Sequence, residues 1–539
     1  MTTSIPDTTR SIFHSATRFF SGTMLSRISG MLRDMCMAYA FGTQSAIAAL
    51  LVAFRFAHLL RRLLGEGAMQ TALIPHFEEL RKESPLRAGN FFRDLTLSLT
   101  HLLFIIIITT MACLGAILFW GSLDPGNQEI VWLTFLMMPS LLFICLFGIN
   151  ASLLQCEKSY FSPSAAPVLF NLFWIIGILL SSPLPTDRAM SILSIFVVLA
   201  CAAQWAITLP KSYAILRNFG VTSLWTGAKS YSADVLYLCK PLALGVLGVG
   251  AAQINNAMDA VFARWADTEG PAYLWYAIRL QQLPLALFGI ALSGALLPPL
   301  ARAVKAGDLD KAHSFLDFAN RRTIALMLPL SATLFIFGDG CIHLIYGHGD
   351  FNSTSIFGTT QCLWGYTFGL IPMALVLVLA PAFYAQGDYK TPSQAAVASM
   401  VVNIGLNTLL VLFLGYGSAS VAFATSISAW INFFWLANQS SLFSFNLEKQ
   451  STGETFLRSS VKVAIAASFA SIAALVTDIT LWKTSPVIKI LQGFTPVYNP
   501  SSIEQILRLT LDGTVFLLVF IATAFATNAK DITAILKTK

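Results

Sequence analysis

LTLSLTHLLFIIIITTMACLGAILFW, from Leu95 to Trp120, holds one polar ring (His101) and no Lys, Arg, Asp or Glu. About 20 consecutive apolar residues cross a bilayer as a helix. Only helices and closed barrels satisfy every backbone polar group in lipid. A run this long and unbroken does not fit the ~10-residue alternating strands of a barrel. The rest of the chain reads the same way. It has 539 residues, 56% hydrophobic and 11% charged, with mean hydropathy +0.69. A soluble domain carries about 25% charged residues. The class is therefore all-α integral membrane protein.

Outward from that run, about 14 transmembrane helices can be laid out, at 16–41, 45–74, 95–120, 129–155, 162–182, 189–209, 235–263, 272–300, 323–346, 356–386, 392–414, 418–444, 459–482 and 504–527. The loops test this layout. With the N-terminus inside, the cytoplasmic side gathers Arg81, Lys82, Arg87, Arg93, Lys158, Lys211, Arg217, Lys229, Lys240, Arg302, Lys305, Lys311, Arg321, Arg322, Lys390, Lys449, Arg458 and Lys462. The opposite side gathers only Arg188, Arg264, Lys483, Lys489 and Arg508. Positive charge marks the cytoplasmic face, so both termini are expected there. The polar start, Met1 to Arg10, has no cleavable signal pattern, which leaves targeting to the first membrane helix. The net charge of +7 belongs to these loops and implies no nucleic acid. The 8 cysteines form no CxxC pair and read as small buried hydrophobes rather than a metal or disulfide framework.

The second segment repeats as the eighth. A shift of 224 positions, without a gap, lays Ala53 on Ala277, Arg55 on Arg279, Gly65 on Gly289, Leu73 on Leu297 and Pro75 on Pro299. Chance similarity between apolar segments is the competing reading. A true repeat has a period of six helices, which keeps both copies in one orientation and relates two lobes by a pseudo-two-fold along the membrane normal. The expected organisation is an N-terminal lobe at 1–230, a C-terminal lobe at 231–447, and two extra helices at 448–539.

Charges at membrane depth cost a few kcal/mol each and usually face a cavity or a partner. The first helix carries Arg18, Arg27, Arg33 and Asp34; the second carries Arg55, Arg61, Arg62 and Glu66; the eighth carries Arg279. Arg55, Leu59, Arg62 and Glu66 share one face at i, i+4, i+7 and i+11. Arg27 and Asp34, seven apart, share a face of the first helix. Arg18 reads as snorkelling to headgroups. For Arg61, Arg62 and Glu66 two readings stand, structural pairing or cavity lining. Basic residues outnumber acids even when Asp259 on the seventh helix is counted, so an anionic occupant is implied. Arginine suits phosphate because its planar fork donates two hydrogen bonds at once.

At these residues the chain resembles a known family. SRISGMLRDMCMAYAFG (Ser26–Gly42), AFRFAHLLRRLLGEGAMQTALIPHF (Ala53–Phe77), YAIRLQQLPLALFGIALSGALLPPLA (Tyr276–Ala301) and FYAQGDYKTPSQAAVASMVVNIGLN (Phe383–Asn407) are similar to the signatures of the MurJ/MviN family of bacterial lipid II flippases. The LLRRLxxEGA stretch is specific to that family within the multidrug/oligosaccharidyl-lipid/polysaccharide exporter superfamily. The resemblance implies two six-helix lobes, a lipid-tail groove at helices 13 and 14, and alternating access. It implies a transporter rather than an enzyme, in the bacterial inner membrane, serving peptidoglycan synthesis. Lipid II is the implied cargo, its diphosphate held by Arg27, Arg33, Arg55, Arg61, Arg62 and Arg279. Asp34 and Glu66 are the implied gating or charge-pairing acids. Membrane lipids and cell-wall synthesis proteins are implied neighbours of a monomer. Two positions depart from the pattern. Ala48 stands where some members have an acid, and Ala57-His58 stands where Pro-Asn is common.

A driving force must come from elsewhere than bound ATP, since no GxxxxGK[ST] loop is present. Asp259, Asn403, Asn407 and Thr425 together offer hard oxygen ligands for Na⁺; plain interhelical hydrogen bonding is the alternative. Membrane potential would also serve, at about 2.3 kcal/mol per charge per 100 mV. The competing functions are a multidrug exporter or an exporter of another polyprenyl-linked glycan, and a membrane enzyme acting on a lipid diphosphate. Cationic drugs call for cavity acids, which are scarce here. Enzymatic hydrolysis calls for clustered acids or histidines, and the nearest group, His343, His348 and Asp350, reads as a solvated loop.

Overall fold

The computed structural model describes residues 9–65, 67–221, 223, 227, 229–443, 456–482, 501–529 and 531–533. Two compact units divide the chain, residues 1–257 and 258–539. The first unit contains α1 (Thr9–Phe41), α2 (Ser45–Ala57), α3 (Arg61–Leu64), α4 (Ala68–Glu83), α5 (Pro85–Trp120), α6 (Pro125–Met137), α7 (Ser140–Cys156), α8 (Phe161–Ala165), α9 (Pro167–Ser181), α10 (Thr186–Ala206), α11 (Leu209–Asn218), α12 (Ala233–Tyr237) and most of α13 (Cys239–Ala266). The second contains the end of α13, then α14 (Gly270–Pro284), α15 (Ala291–Lys305), α16 (Leu309–Tyr346), α17 (Ser353–Thr367), α18 (Leu370–Ala385), α19 (Lys390–Asn407), α20 (Ala419–Gln439), α21 (Phe456–Trp482) and α22 (Ser502–Ala526). Single π-helical turns follow α14 at Leu285–Ile290 and α19 at Thr408–Phe413. No strand occurs among the described residues.

Local chemistry sets the helix ends. Apolar stretches have no punctuation of their own, so short polar residues supply it. Ser84 caps α5 ahead of Pro85, accepting from the Arg87 amide. Asp124 caps α6 ahead of Pro125. The Asn127 amide it receives holds its carboxyl below the usual range. Asp308 and Asn352 cap α16 and α17, and Ser501 with Glu504 forms a reciprocal capping box on α22. A proline in the first turn loses no helical hydrogen bond, and a capping oxygen satisfies an orphan N–H.

Among the described residues, eight helices are long and apolar enough to span a membrane, and the bent pairs α6–α7 (46°) and α17–α18 (42°) raise this to ten. The sequence layout had about fourteen. The segments outside the ten are α1, α2–α4, α13 and α14–α15, which carry Arg27, Arg33, Arg55, Arg61, Asp259 and Arg279. α2, α4, α14 and α15 are each shorter than a span, and in α1 and α13 charged and polar side chains dilute the apolar signal.

The helix expected at 45–74 is broken. It ends at Ala57, resumes for one turn at Arg61–Leu64, and restarts at Ala68. Gly67 adopts φ +61°, a conformation that costs glycine little. Gly65 lies against α7 so closely that a Cβ there would stand 2.8 Å from Cys145 Cα. A Cβ on Gly148 would fall on the Gly65 carbonyl and 2.8 Å from its Cα. Two glycines thus let α3 and α7 touch backbone to backbone, which fixes the short turn bearing Arg61. Gly148→Ala should therefore destabilise the first unit by about 1–3 kcal/mol through overpacking. Thermal melting of purified protein in detergent reads this directly; an unchanged midpoint would show that the contact is slack. The same 224-residue shift carries the break at 58–67 onto 282–291, where the π turn interrupts α14–α15.

In the second unit, Leu300, Leu316, Leu375, Leu379, Phe383 and Phe433 form the core among α15, α16, α18 and α20. The two C-terminal helices pack on α16 through a stripe of small side chains on α21: Val463, Ala466, Ala467, Ala470 and Ala474. That spacing is one helix face, and small residues let membrane helices approach closely.

Candidate functional site

The first group of candidates lies on α1. Arg33 is buried and donates from Nε (3.1 Å) and Nη2 (2.7 Å) to Asp34 Oδ1. Its Nη1 donates to Asn171 Oδ1 on α9 at 3.1 Å. Its guanidinium carbon stands 4.7 Å from the centroid of the Trp174 ring, within cation–π range. Asn171 turns its amide nitrogen back to α1, to the Ser26 carbonyl (3.2 Å) and Ser29 Oγ (2.9 Å). One asparagine therefore holds both the arginine and the helix it stands on. Arg27 is exposed and makes no hydrogen bond or ion pair with a described residue. Helical spacing put Arg27 and Asp34 on one face. The structure distinguishes them: Asp34 is buried (2% exposed) and Arg27 is exposed.

The second group surrounds the break after α2. Arg55 is half-buried and donates from Nη1 to the Asn256 carbonyl on α13 at 2.9 Å. Arg61 is half-buried, and its charge acts on His58 and Cys201. His58 is a residue that sequence reasoning noted only as a departure. It is buried at the break, with Nδ1 3.1 Å from the Phe54 carbonyl. A carbonyl only accepts, so this nitrogen carries the proton and Nε2 accepts. Nε2 faces Ser140 Oγ at 3.5 Å and Cys201 Sγ at 3.6 Å. The Ser140 hydroxyl donates to the Met137 carbonyl at 2.6 Å, which leaves the Cys201 thiol as donor to the ring. His58 is thus a plug that satisfies the interrupted helix. The side chains of Arg18 and Arg62, and Glu66 entirely, lie outside the described residues.

In the second unit Arg279 stands half-buried on α14, its guanidinium carbon 4.4 Å from the centroid of the Trp275 ring one turn before it. Two of the candidate arginines, Arg33 and Arg279, therefore lie on tryptophan faces. A ring beneath the guanidinium plane fixes its orientation, and Arg33 already donates from Nε, Nη1 and Nη2 to Asp34 and Asn171.

The four oxygen-bearing candidates meet. Asp259 on α13 is 3% exposed, and Asn403 and Asn407 on α19 are both 0% exposed. Asp259 Oδ1 accepts from Asn403 Nδ2 (2.9 Å) and Asn407 Nδ2 (3.0 Å), and Oδ2 accepts from Thr425 Oγ1 on α20 (3.2 Å). Asn407 Nδ2 also reaches Asn403 Oδ1 at 3.1 Å. Asn407 Oδ1 is buried with no hydrogen-bond partner among the described residues. The π turn Thr408–Phe413 begins immediately after Asn407, and such turns gather at functional sites.

Two other expectations change. Arg508, counted as an outer-loop charge, is buried on α22 and bound bidentately by Asp478 on α21, at 2.6 and 2.9 Å. The signal available in the sequence was an acid four residues away, Asp512, inside an apolar helix. His343 belongs to the buried last turn of α16, while His348 and Asp350 are exposed, so the three do not form a loop cluster. Among the described residues no three His, Cys, Asp or Glu are placed to hold a metal ion.

A family profile described as "Lipid II flippase MurJ" matches residues 37–493. The chain is 33% identical over 421 residues to a "Probable lipid II flippase MurJ" of Chlamydia muridarum, covering 78% of this chain and 77% of that one. Among solved structures it is similar to "Lipid II flippase MurJ, inward closed conformation", with TM-score 0.74, 23% identity, and coverage of 94% of this chain and 99% of that one. An inward-facing multidrug resistance MATE family transporter of the MOP superfamily is similar at TM-score 0.61 and 13% identity, covering 79% and 100%. These last two likenesses concern the fold.

Proposed function

The chain belongs to the lipid II flippase MurJ family, and on that premise we propose that it carries lipid II across the bacterial inner membrane by alternating access. Both termini would lie in the cytoplasm, a reading supported by the positive charge of the loops on that side. The observation that carries this reading is the pair of oriented arginines, Arg33 on Trp174 and Arg279 on Trp275, one in each unit. A diphosphate offers several oxyanions to bidentate donors. Arg27, exposed on α1, and Arg279 would take the diphosphate directly. Arg33, paired with Asp34, holds its place on α1 and contributes from there. Arg55, Arg61 and Arg62 add positive potential around the break after α2. The headgroup would cross the membrane within the protein while the polyprenyl chain stays in lipid along α21 and α22. No covalent step is needed. A cationic drug as cargo is disfavoured by the same arginines. Purified protein should bind lipid II, and Arg279→Ala should weaken that binding at least tenfold. Equal binding by both, or no binding by the wild type, would reject the reading.

Asp259, Asn403, Asn407 and Thr425 fit Na⁺, because one carboxylate and neutral oxygens match a single positive charge and a hard ion. Asn407 Oδ1, buried with no hydrogen-bond partner among the described residues, supports this reading. Bound there, Na⁺ would tie α13, α19 and α20 together and supply charge compensation for Asp259. Asp259→Asn should abolish any Na⁺ dependence of thermal stability while keeping the hydrogen-bonded layer. A Na⁺ response that persists in this variant would leave the four residues with a structural role only.

A further inference from the structure

A second buried polar group lies in the C-terminal helices and on α16, and it includes none of the residues discussed as binding candidates. Asp478 on α21, Arg508 and Asp512 on α22, and Asp339 on α16 are 3%, 6%, 1% and 7% exposed. Arg508 grips both oxygens of Asp478. Its charge also acts on Asp339 and Asp512. Three carboxyls therefore share one guanidinium. Asp512 lies ten residues into α22, roughly 15 Å from the helix start, which is near the middle of a ~30 Å hydrocarbon layer. Unneutralised charge is costly at that depth, and neighbouring carboxylates cannot all ionise.

Asp512 gives the decisive detail. Its Oδ1 is buried and has no hydrogen-bond partner among the described residues, and it stands one turn beyond Arg508 on the same face of α22. A bare carboxylate only accepts, and a buried carboxyl oxygen that accepts from no donor favours the protonated acid. A metal cation is the rival occupant. It would have to share Asp478 with a bidentate guanidinium, and the repulsion at that spacing disfavours it. A proton held covalently on a carboxyl oxygen meets no such difficulty.

We propose that Asp512, together with Asp478 and Asp339 around Arg508, is a proton-binding site that joins α21 and α22 to α16. The other titratable groups at this level are Cys341, which feels the charge of Asp339, and His343, buried one turn beyond Asp339 on α16. Neither lies on α21 or α22. The proposal is independent of the cargo and of the Asp259 site.

Infrared spectroscopy of the purified full-length protein in lipid tests this, through the C=O band of a protonated carboxyl and its shift on exchange into D₂O. The wild type should show such a band at neutral pH, unchanged by Na⁺. Asp512→Asn should lose it, and Asp259→Asn should keep it. Because asparagine imitates the neutral acid without changing shape, Asp512→Asn should fold with the wild-type thermal midpoint. A missing wild-type band, a band removed by Na⁺, a band that survives in Asp512→Asn, or failure of that variant to fold would each overturn the proposal.

Discussion

Arg279→Ala should abolish flipping while the protein still accumulates in the membrane. Arg279 is half-buried beside Trp275, so truncation opens a space that solvent can enter rather than a sealed void. Charge-assisted hydrogen bonds are worth about 1.5–3 kcal/mol each. Removing a guanidinium that grips phosphate through two of them thus costs about 3–6 kcal/mol, or roughly two to four orders of magnitude in affinity. Arg279→Lys should rescue only in part, because an ammonium keeps the charge but not the fork. Complementation of a strain depleted of its own flippase, with immunoblotting for membrane content, checks both halves. Full growth on Arg279→Ala would remove this arginine from the site. Absence of the protein itself would make its role structural.

Asp34→Ala should fail in the opposite way, by losing the folded protein. Arg33 and Asp34 side chains are 7% and 2% exposed and paired at 2.7 Å. Removing one member of a buried pair leaves an uncompensated charge and costs about 3–5 kcal/mol, a large share of a typical stability. Arg33 would still have Asn171 and the Trp174 face, neither of which carries a compensating charge. Removing both charges should be milder than removing the acid alone, since replacing a buried pair is often near neutral. The thermal midpoints of Asp34→Ala and of the Arg33→Ala, Asp34→Ala double variant decide this. A single variant as stable as the wild type would show that the pair is not the clasp between α1 and α9.

The residues differ in how much of this the sequence made legible. The Leu95–Trp120 run was sufficient for the fold class, because 26 residues without a charge admit one solution in lipid. Asp259, Asn403, Asn407 and Thr425 were legible because a polar oxygen in an apolar helix needs a partner. The helix faces were less so. Spacing gives the angle of a side chain on its own helix, but not which neighbour covers it. Arg27 and Asp34, alike in spacing, therefore differ in burial. The break at 58–67 escaped because a glycine in a helix marks a close approach only once the neighbouring helix is known. Its cause, the close approach of Gly65 to Gly148, links positions 83 residues apart. Arg508 was assigned to a loop because charge near a segment end normally marks the end, whereas Asp478 draws it into the helix pair.

The central claim is that this chain delivers lipid II to the outer leaflet with Arg279 as a ligand. Its most direct test is the fraction of cellular lipid II open to a membrane-impermeant lipid II-cleaving enzyme. Cells depleted of their own flippase are compared after expressing this chain or its Arg279→Ala variant at equal membrane levels. The expected result is cleavable lipid II with the wild type and none above the depleted background with the variant. Equal cleavage in both, or no cleavage with the wild type, would contradict the claim.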